Sequence, residues 1–227
     1  VAFLATPAEA SARLAPGLVA RGIRVIDLSG AFRLRNAAAH ARAYGFERPL
    51  MEGSYGLPEL GGSLAGVKLV ANPGCYATAS ALALLPLWEA GLVGPELIVD
   101  AASGTSGAGR QSSEPFSFTE VTNDHRAYRV LRHQHTPEII QALELAGGAR
   151  PLLTLTTKLL PIERGILATA YARLKRPMSS AEVTERFRLR YAQYPNVRIV
   201  GSADEVRVKH ALHTGLCIIG VAVATHD

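Results

Sequence analysis

Cys75 is the residue of this sequence best placed for nucleophilic chemistry. Lys68-Leu69-Val70-Ala71 reads as the end of a short apolar strand. Asn72-Pro73-Gly74 is turn chemistry, since Pro fixes φ and Gly tolerates φ > 0. The Ala- and Leu-rich run to Trp88 that follows is helical by propensity. A cysteine at a helix start meets unpaired amides and the positive end of the macrodipole, both of which favour a thiolate. The alternative for any such cysteine is a small buried residue at an ordinary strand–helix junction. Asn72, three residues before the sulfur, carries an amide able to donate to an acyl or phosphate oxygen.

His133 and His135, two apart, point the same way if the chain is extended there and so share one pocket. Thr136-Pro137-Glu138 then has the composition of a helix start, with Thr136 as the expected N-cap. Ser103-Gly104-Thr105-Ser106-Gly107-Ala108-Gly109-Arg110 is a loop of small and hydroxylated residues that can offer amides to an anion, as flexible loops in general can. Arg110 at its end suits a substrate carboxylate or the order of the loop itself. The histidine pair lacks an obvious third ligand, so no metal is expected. Cys75 and Cys217 lie far apart without CxxC spacing, so neither a disulfide framework nor zinc is indicated. Cys217, in an apolar run, reads as a strand residue.

From Val70 to Pro86 the sequence resembles the active-site signature of the N-acetyl-γ-glutamyl-phosphate reductases. That pattern runs aliphatic, small, any, Pro-Gly-Cys, aromatic, small, Thr, small, and closes with Pro eleven residues after the Cys. Asp27-Leu28-Ser29-Gly30-Ala31-Phe32-Arg33-Leu34 is similar to a second family segment, departing at Ala31, where Asp is usual. Tyr55-Gly56-Leu57-Pro58-Glu59-Leu60, the Ser103–Arg110 loop, His133-Gln134-His135-Thr136-Pro137-Glu138-Ile139 and Leu160–Ile166 resemble further segments in the same order. The resemblance implies that Cys75, assisted by His133, takes an acyl group from an acyl phosphate, and that NADPH then delivers a hydride. It implies substrate contacts at Arg33, Asn72, Arg110 and His135. Ser103, Gly104, Ser106 and Gly107 are its candidates for the cofactor side. Arg33 is expected at the phosphate, because a guanidinium fork matches phosphate oxygens; the alternative is an ordinary loop arginine.

These groups need elements to hold them. Val1–Ala5, Glu9–Arg21 and Ile23–Leu28 read as strand, helix, strand, a parallel βαβ unit. Ala37–Met51 reads as irregular, Leu97–Ala102 as a strand and Tyr128–Leu131 as strand-like alternation. Pro151–Leu159, Gly165–Leu174, Val197–Val200 and Gly215–Ala224 read as strands of one further sheet, with a helix over Ala181–Tyr191 capped by Ser179 or Ser180. The fold expected is α/β: the remainder of a dinucleotide-binding parallel sheet over residues 1–94, including the nucleophile helix, then an α+β catalytic and dimerisation domain over 95–227. No G-x-G-x-x-G occurs, which suggests part of a longer polypeptide.

Composition narrows the classes. With 227 residues, 48% of them hydrophobic and 19% charged, the chain is a globular one with a real core. The net charge of +5 is scattered rather than striped with aromatics, so no nucleic acid is expected. No apolar run reaches the ~18–20 residues of a membrane span. A free reactive thiol fits a reducing cytoplasm, and the family implies a homodimer or homotetramer. The function expected is NADPH-dependent reduction of N-acetyl-γ-glutamyl phosphate in arginine biosynthesis. Rival expectations are the same chemistry on N-acetyl-aminoadipyl phosphate, a Cys/His hydrolase, and a non-catalytic oligomerisation fragment.

Overall fold

The structure, a computed structural model, describes residues 1–109 and 114–224. Strand β1 (Ala2–Leu4), helix α1 (Ala8–Ala20) and strand β2 (Val25–Asp27) form the βαβ unit, with β1 and β2 parallel. Helix α1 ends where Gly22 takes φ +75°, a conformation that glycine adopts without steric cost. Ala37–Tyr44 is a helix, α2, rather than irregular. Its run of alanines is closed off at both ends, by Asn36 Oδ1 accepting from Ala39 N and by Gly45 in the left-handed region. Strands β3 (Ser54–Tyr55) and β4 (Leu69–Ala71) complete a parallel sheet ordered β1-β2-β4-β3.

Helix α3 (Cys75–Glu89) leaves β4 through Asn72-Pro73-Gly74 and leads to the long strand β5 (Val93–Ser103), whose register shifts between Val93 and Leu97. Helix α4 (Phe118–Val121) and strand β6 (Arg126–Tyr128) follow. The alternation expected through Leu131 stops at Tyr128, because Arg129 and Leu131 take φ of +46° and +57° and turn the chain. Helix α5 (Thr136–Leu145) starts one residue earlier than expected, with His135 at the N-cap and Thr136 already helical. Strands β7 (Leu152–Leu159) and β8 (Ile166–Leu174) join β5 and β6 in a mixed sheet ordered β6-β7-β5-β8, parallel only between β5 and β7.

Helix α6 (Ser180–Tyr191) begins at a capping box between Ser179 and Glu182. Strand β9 (Val197–Ile199), helix α7 (Val208–Ala211) and strand β10 (Cys217–Ile219) end the chain's regular structure. The last two strands do not extend the mixed sheet as expected. They pair with each other, in parallel, as a separate two-stranded ribbon.

Two cores result. Leu4, Ala15, Val25, Phe32 and Leu69 pack the parallel sheet against α1. The larger core joins α3, α5 and α6 to one face of the mixed sheet through Leu84, Leu85, Val99, Ile139, Leu143, Leu155 and Phe187. Helix α3 is apolar on nearly every side and is buried accordingly. It belongs to this second core. Its buried residues cluster with those of β5 and β7, and Tyr55 of β3 with Leu57 and Leu60 joins that cluster from the parallel-sheet side.

Candidate active site

Cys75 is the first residue of α3, at the carboxyl end of β4, with Gly74 as N-cap. Ligand crevices of parallel α/β sheets open at this edge. The side chain reaches solvent, and the nearby amides of Tyr76 and Cys75 favour the sulfur's anion. Burial of the surroundings nevertheless dominates and raises the thiol pKa above its ordinary value. The two amides and the Arg33 charge oppose that rise without cancelling it. The helix end therefore favours a thiolate without outweighing burial, and a proton acceptor beside the sulfur is required.

His133 and His135 are both 6% exposed, their ring centroids 4.7 Å apart. Burial is the main cause that lowers their pKa values, to about 4 and about 3; Arg129 adds to both, and the other imidazole and Arg33 add at His135. Both rings are neutral at pH 7. His133 Nδ1 accepts from the backbone N–H of His135 at 3.1 Å, which fixes the ring proton on Nε2. The imidazole of His135 lies against Gly74, beside the cysteine: a Cβ on Gly74 would fall 2.6 Å from its Cε1. Among the described residues no hydrogen bond joins either ring to the sulfur, and His135 Nδ1 is buried without a partner.

Beneath the cysteine lies a buried polar knot. Glu138, fully buried, accepts from the Gly74 amide at 2.7 Å and from the Tyr55 hydroxyl at 2.9 Å. Its other oxygen is 3.7 Å from Arg33 Nη1. Burial raises the Glu138 pKa, against the pull of Arg33 and the two donors. Arg33 is 8% exposed, and it donates to Asn72 O at 2.7 Å and to Leu28 O at 2.8 Å. The guanidinium expected at a substrate phosphate is thus committed inward, to two carbonyls and a carboxylate. Asn72 is half-buried, its amide 3.2 Å from Pro73 O.

Ser103 ends β5, and its Oγ accepts from the Tyr76 hydroxyl at 2.8 Å. The amides of Gly104, Thr105 and Ser106 donate to Gly165, Ile162 and Glu163 carbonyls at 3.0 Å each. Contrary to the sequence reading, these amides are spent on the turn between β7 and β8 and are not offered to an anion. Gly104 is required there because a Cβ would sit 2.8 Å from Arg164 N. Ser106 and Gly107 remain exposed. Arg110 lies outside the described residues.

The structure thus gathers Cys75, His135, His133, Asn72 and Ser103 around the start of α3 and turns Arg33 beneath it. Three participants escape sequence reasoning. Glu138 reads only as a first-turn acid, Tyr55 as loop, and Tyr76 as the aromatic of a signature. Their signal was polarity at positions that proved fully or largely buried, which composition alone does not reveal. No group of three or more metal-ligating side chains occurs among the described residues, and no helix among them is long and apolar enough to cross a membrane.

Residues 75–227 match the family described as semialdehyde dehydrogenase, dimerisation domain, and residues 1–65 match semialdehyde dehydrogenase, NAD binding domain. A Dehalococcoides mccartyi protein named N-acetyl-gamma-glutamyl-phosphate reductase is 44% identical over 225 residues, 96% of this chain and 65% of that protein. A Brevibacillus brevis protein of the same name is 42% identical over 227 residues, 97% of this chain and 66% of its own length. The chain therefore spans just under two thirds of these relatives. Among solved structures, aspartate semialdehyde dehydrogenase II from Vibrio cholerae shares the fold, with a TM-score of 0.71 at 16% identity over 96% of this chain and 68% of its own. The Francisella tularensis aspartate semialdehyde dehydrogenase gives 0.69 at 11% identity over 96% of this chain and 71% of its own. With the dimerisation-domain match alone extending over more than half of its residues, the chain belongs to the semialdehyde dehydrogenase family.

Proposed function

We propose that this chain carries the nucleophile half of an N-acetyl-γ-glutamyl-phosphate reductase that uses NADPH, in arginine biosynthesis. The observation that carries the reading is Cys75 on the first residue of α3, beside the neutral, buried imidazole of His135. The sulfur gives up its proton and forms a bond to the γ-acyl carbon; the carbon–oxygen bond to phosphate breaks, and inorganic phosphate leaves. The Cys75 and Tyr76 amides favour the sulfur's negative charge in this step. His135 rather than His133 is the proton acceptor. Protonating His133 at Nδ1 would break its bond from the His135 amide, whereas the ring of His135 faces the residue before the sulfur.

Bound NADPH supplies the hydride that reduces the thioester, releasing aldehyde and restoring the thiolate. This chain's residues fit the nicotinamide end of that cofactor: the Ser103 hydroxyl and the exposed, side-chain-free Gly107 line the loop beyond β5. Cofactor phosphates find no free amide at Gly104–Ser106, so they belong elsewhere. Arg33 acts as a positioning residue for Asn72 and Glu138, and Arg110 is left as the candidate for the substrate's carboxylate.

The outward face of the mixed sheet aligns Ile98 with Tyr171 and adds Leu152 and Leu167, 50%, 57%, 64% and 39% exposed. A second copy of the chain covers this face in our reading, giving a homodimer, which can pair again as a tetramer. A lysine-route substrate one methylene longer is the second reading, since a methylene decides only about 1–3 kcal/mol of discrimination.

The test is phosphate-dependent oxidation of N-acetylglutamate semialdehyde with NADP, followed at the nicotinamide, in the polypeptide as its natural host makes it. Cys75→Ala should lower turnover by about 10³-fold or more, and Cys217→Ala by less than about twofold, because Cys217 lies in β10 away from the site. Acid release without nicotinamide reduction would favour a hydrolase, and wild-type turnover in Cys75→Ala would end the proposal.

A further inference from the structure

The candidate site is assembled from three stretches far apart in sequence: the start of α3, the segment from β6 to the start of α5, and the end of β5. Tyr76 touches all three. Its backbone follows Cys75 directly in the first turn of α3, and its amide is among the groups that favour the sulfur's anion. Its ring meets the imidazoles of His133 and His135 edge-on, with centroids at 5.2 Å and 6.1 Å. Its hydroxyl lies 2.8 Å from Ser103 Oγ and 3.1 Å from Lys158 O, and accepts from the Tyr128 hydroxyl at 3.1 Å. The side chain is 1% exposed, so each of these partners is met without competition from water.

The hydroxyl has one proton for two acceptors. The shorter contact directs it to Ser103, and the lone pairs of Tyr76 are left for Tyr128. Ser103 then keeps its own proton free for a group outside the protein. The same side chain, anchored at its far end, fixes the first turn of α3, which carries the sulfur.

We propose that Tyr76 is a positioning residue: its hydroxyl, braced by Tyr128, holds the Cys75 turn and the Ser103 end of β5 at one spacing. This rests on the reductase reading for its catalytic meaning, but not for its test. Tyr76→Phe keeps the ring against both imidazoles and deletes only the hydroxyl; Tyr76→Leu deletes both.

The rate of Cys75 alkylation by iodoacetamide is to be measured against pH, with Cys217 as the internal reference. Tyr76→Phe should move the apparent thiol pKa upward and slow alkylation near neutral pH about fivefold, the equivalent of about 1 kcal/mol. Tyr128→Phe, which leaves the Ser103 bond in place, should do less. Tyr76→Leu should do more, and should also move the His133 ring titration towards its ordinary 6.5 by NMR, since burial under Tyr76 holds it down. A Tyr76→Phe profile superimposable on wild type overturns the proposal, whatever Tyr76→Leu does. Absence of nicotinamide-linked turnover in the wild type would sink the reductase reading and leave the alkylation result to decide Tyr76 by itself.

Discussion

A thiol with its pKa raised needs a neighbour that is neutral and dry, and the two imidazoles beside Cys75 have those properties at a cost. Each is 6% exposed and resists protonation, to about 4 at His133 and about 3 at His135. Unfolding returns both to about 6.5, so the unfolded chain binds more protons between these values and stability rises with pH there. Thermal stability should be fully present above about pH 6.5 and fall as pH drops towards 4 and then 3. His133 alone contributes about 3 kcal/mol as an upper bound. Melting temperatures recorded from pH 8 to pH 4 check this, and His133→Gln should flatten the slope; an equally steep slope in that variant would contradict it. The pair itself was legible in the sequence as two rings on one stretch. That one ring nitrogen, His133 Nδ1, is already taken by the His135 amide was not.

At the scale of elements, α3 and α5 meet start to start. The Glu138 carboxylate of α5 takes the amide of Gly74, the N-cap of α3, and the His135 ring fills the space where a side chain on Gly74 would lie. Gly74→Ala should therefore cost about 2 kcal/mol or more by overpacking. It should also slow Cys75 alkylation, since the His135 ring can yield only by pushing on Tyr76. A folded variant with unchanged alkylation and unchanged denaturation midpoint would refute that account.

The helix–turn alternation around Cys75 was readable because Pro73-Gly74 punctuates a strand and an alanine-rich run. Helix α2 was equally punctuated, by Asn36 and Gly45, yet the tyrosine and glycine at its end read as loop. Strand β10 is shorter than its apolar run, since only Cys217–Ile219 find a partner in β9. Arg129 and Leu131 break the alternation after β6 through left-handed backbone, which no side-chain pattern announces.

For the whole molecule, the mixed sheet buries one face under α3, α5 and α6 and leaves the other with Ile98, Leu152, Leu167 and Tyr171 outward. Tyr171→Arg places a charge at the middle of that stripe, opposite Ile98. By light scattering it should shift the wild-type oligomer to smaller species while leaving far-UV circular dichroism unchanged, because Tyr171 is already exposed in the single chain. An unaltered mass would show that copies meet elsewhere. The parallel βαβ unit was apparent from strand spacing, whereas the mixed pairing of the second sheet was not. The ownership of α3 was not, since an all-round apolar helix gives no hint of which sheet it will lie on.

Arg33 reaches Leu28 and Asn72 on the parallel-sheet side and Glu138 on the other, and the Gln141 side chain adds bonds to Arg33 O and Arg35 N at 2.7 Å each. Swinging one sheet away from the other would part Arg33 from Glu138 and break the bonds that tie the two sides together. The seam beneath the nucleophile is consequently riveted and cannot serve as a hinge. Any jaw-like closing over a guest must pivot on segments remote from it, and the sulfur stays still while the rest of the enclosure moves.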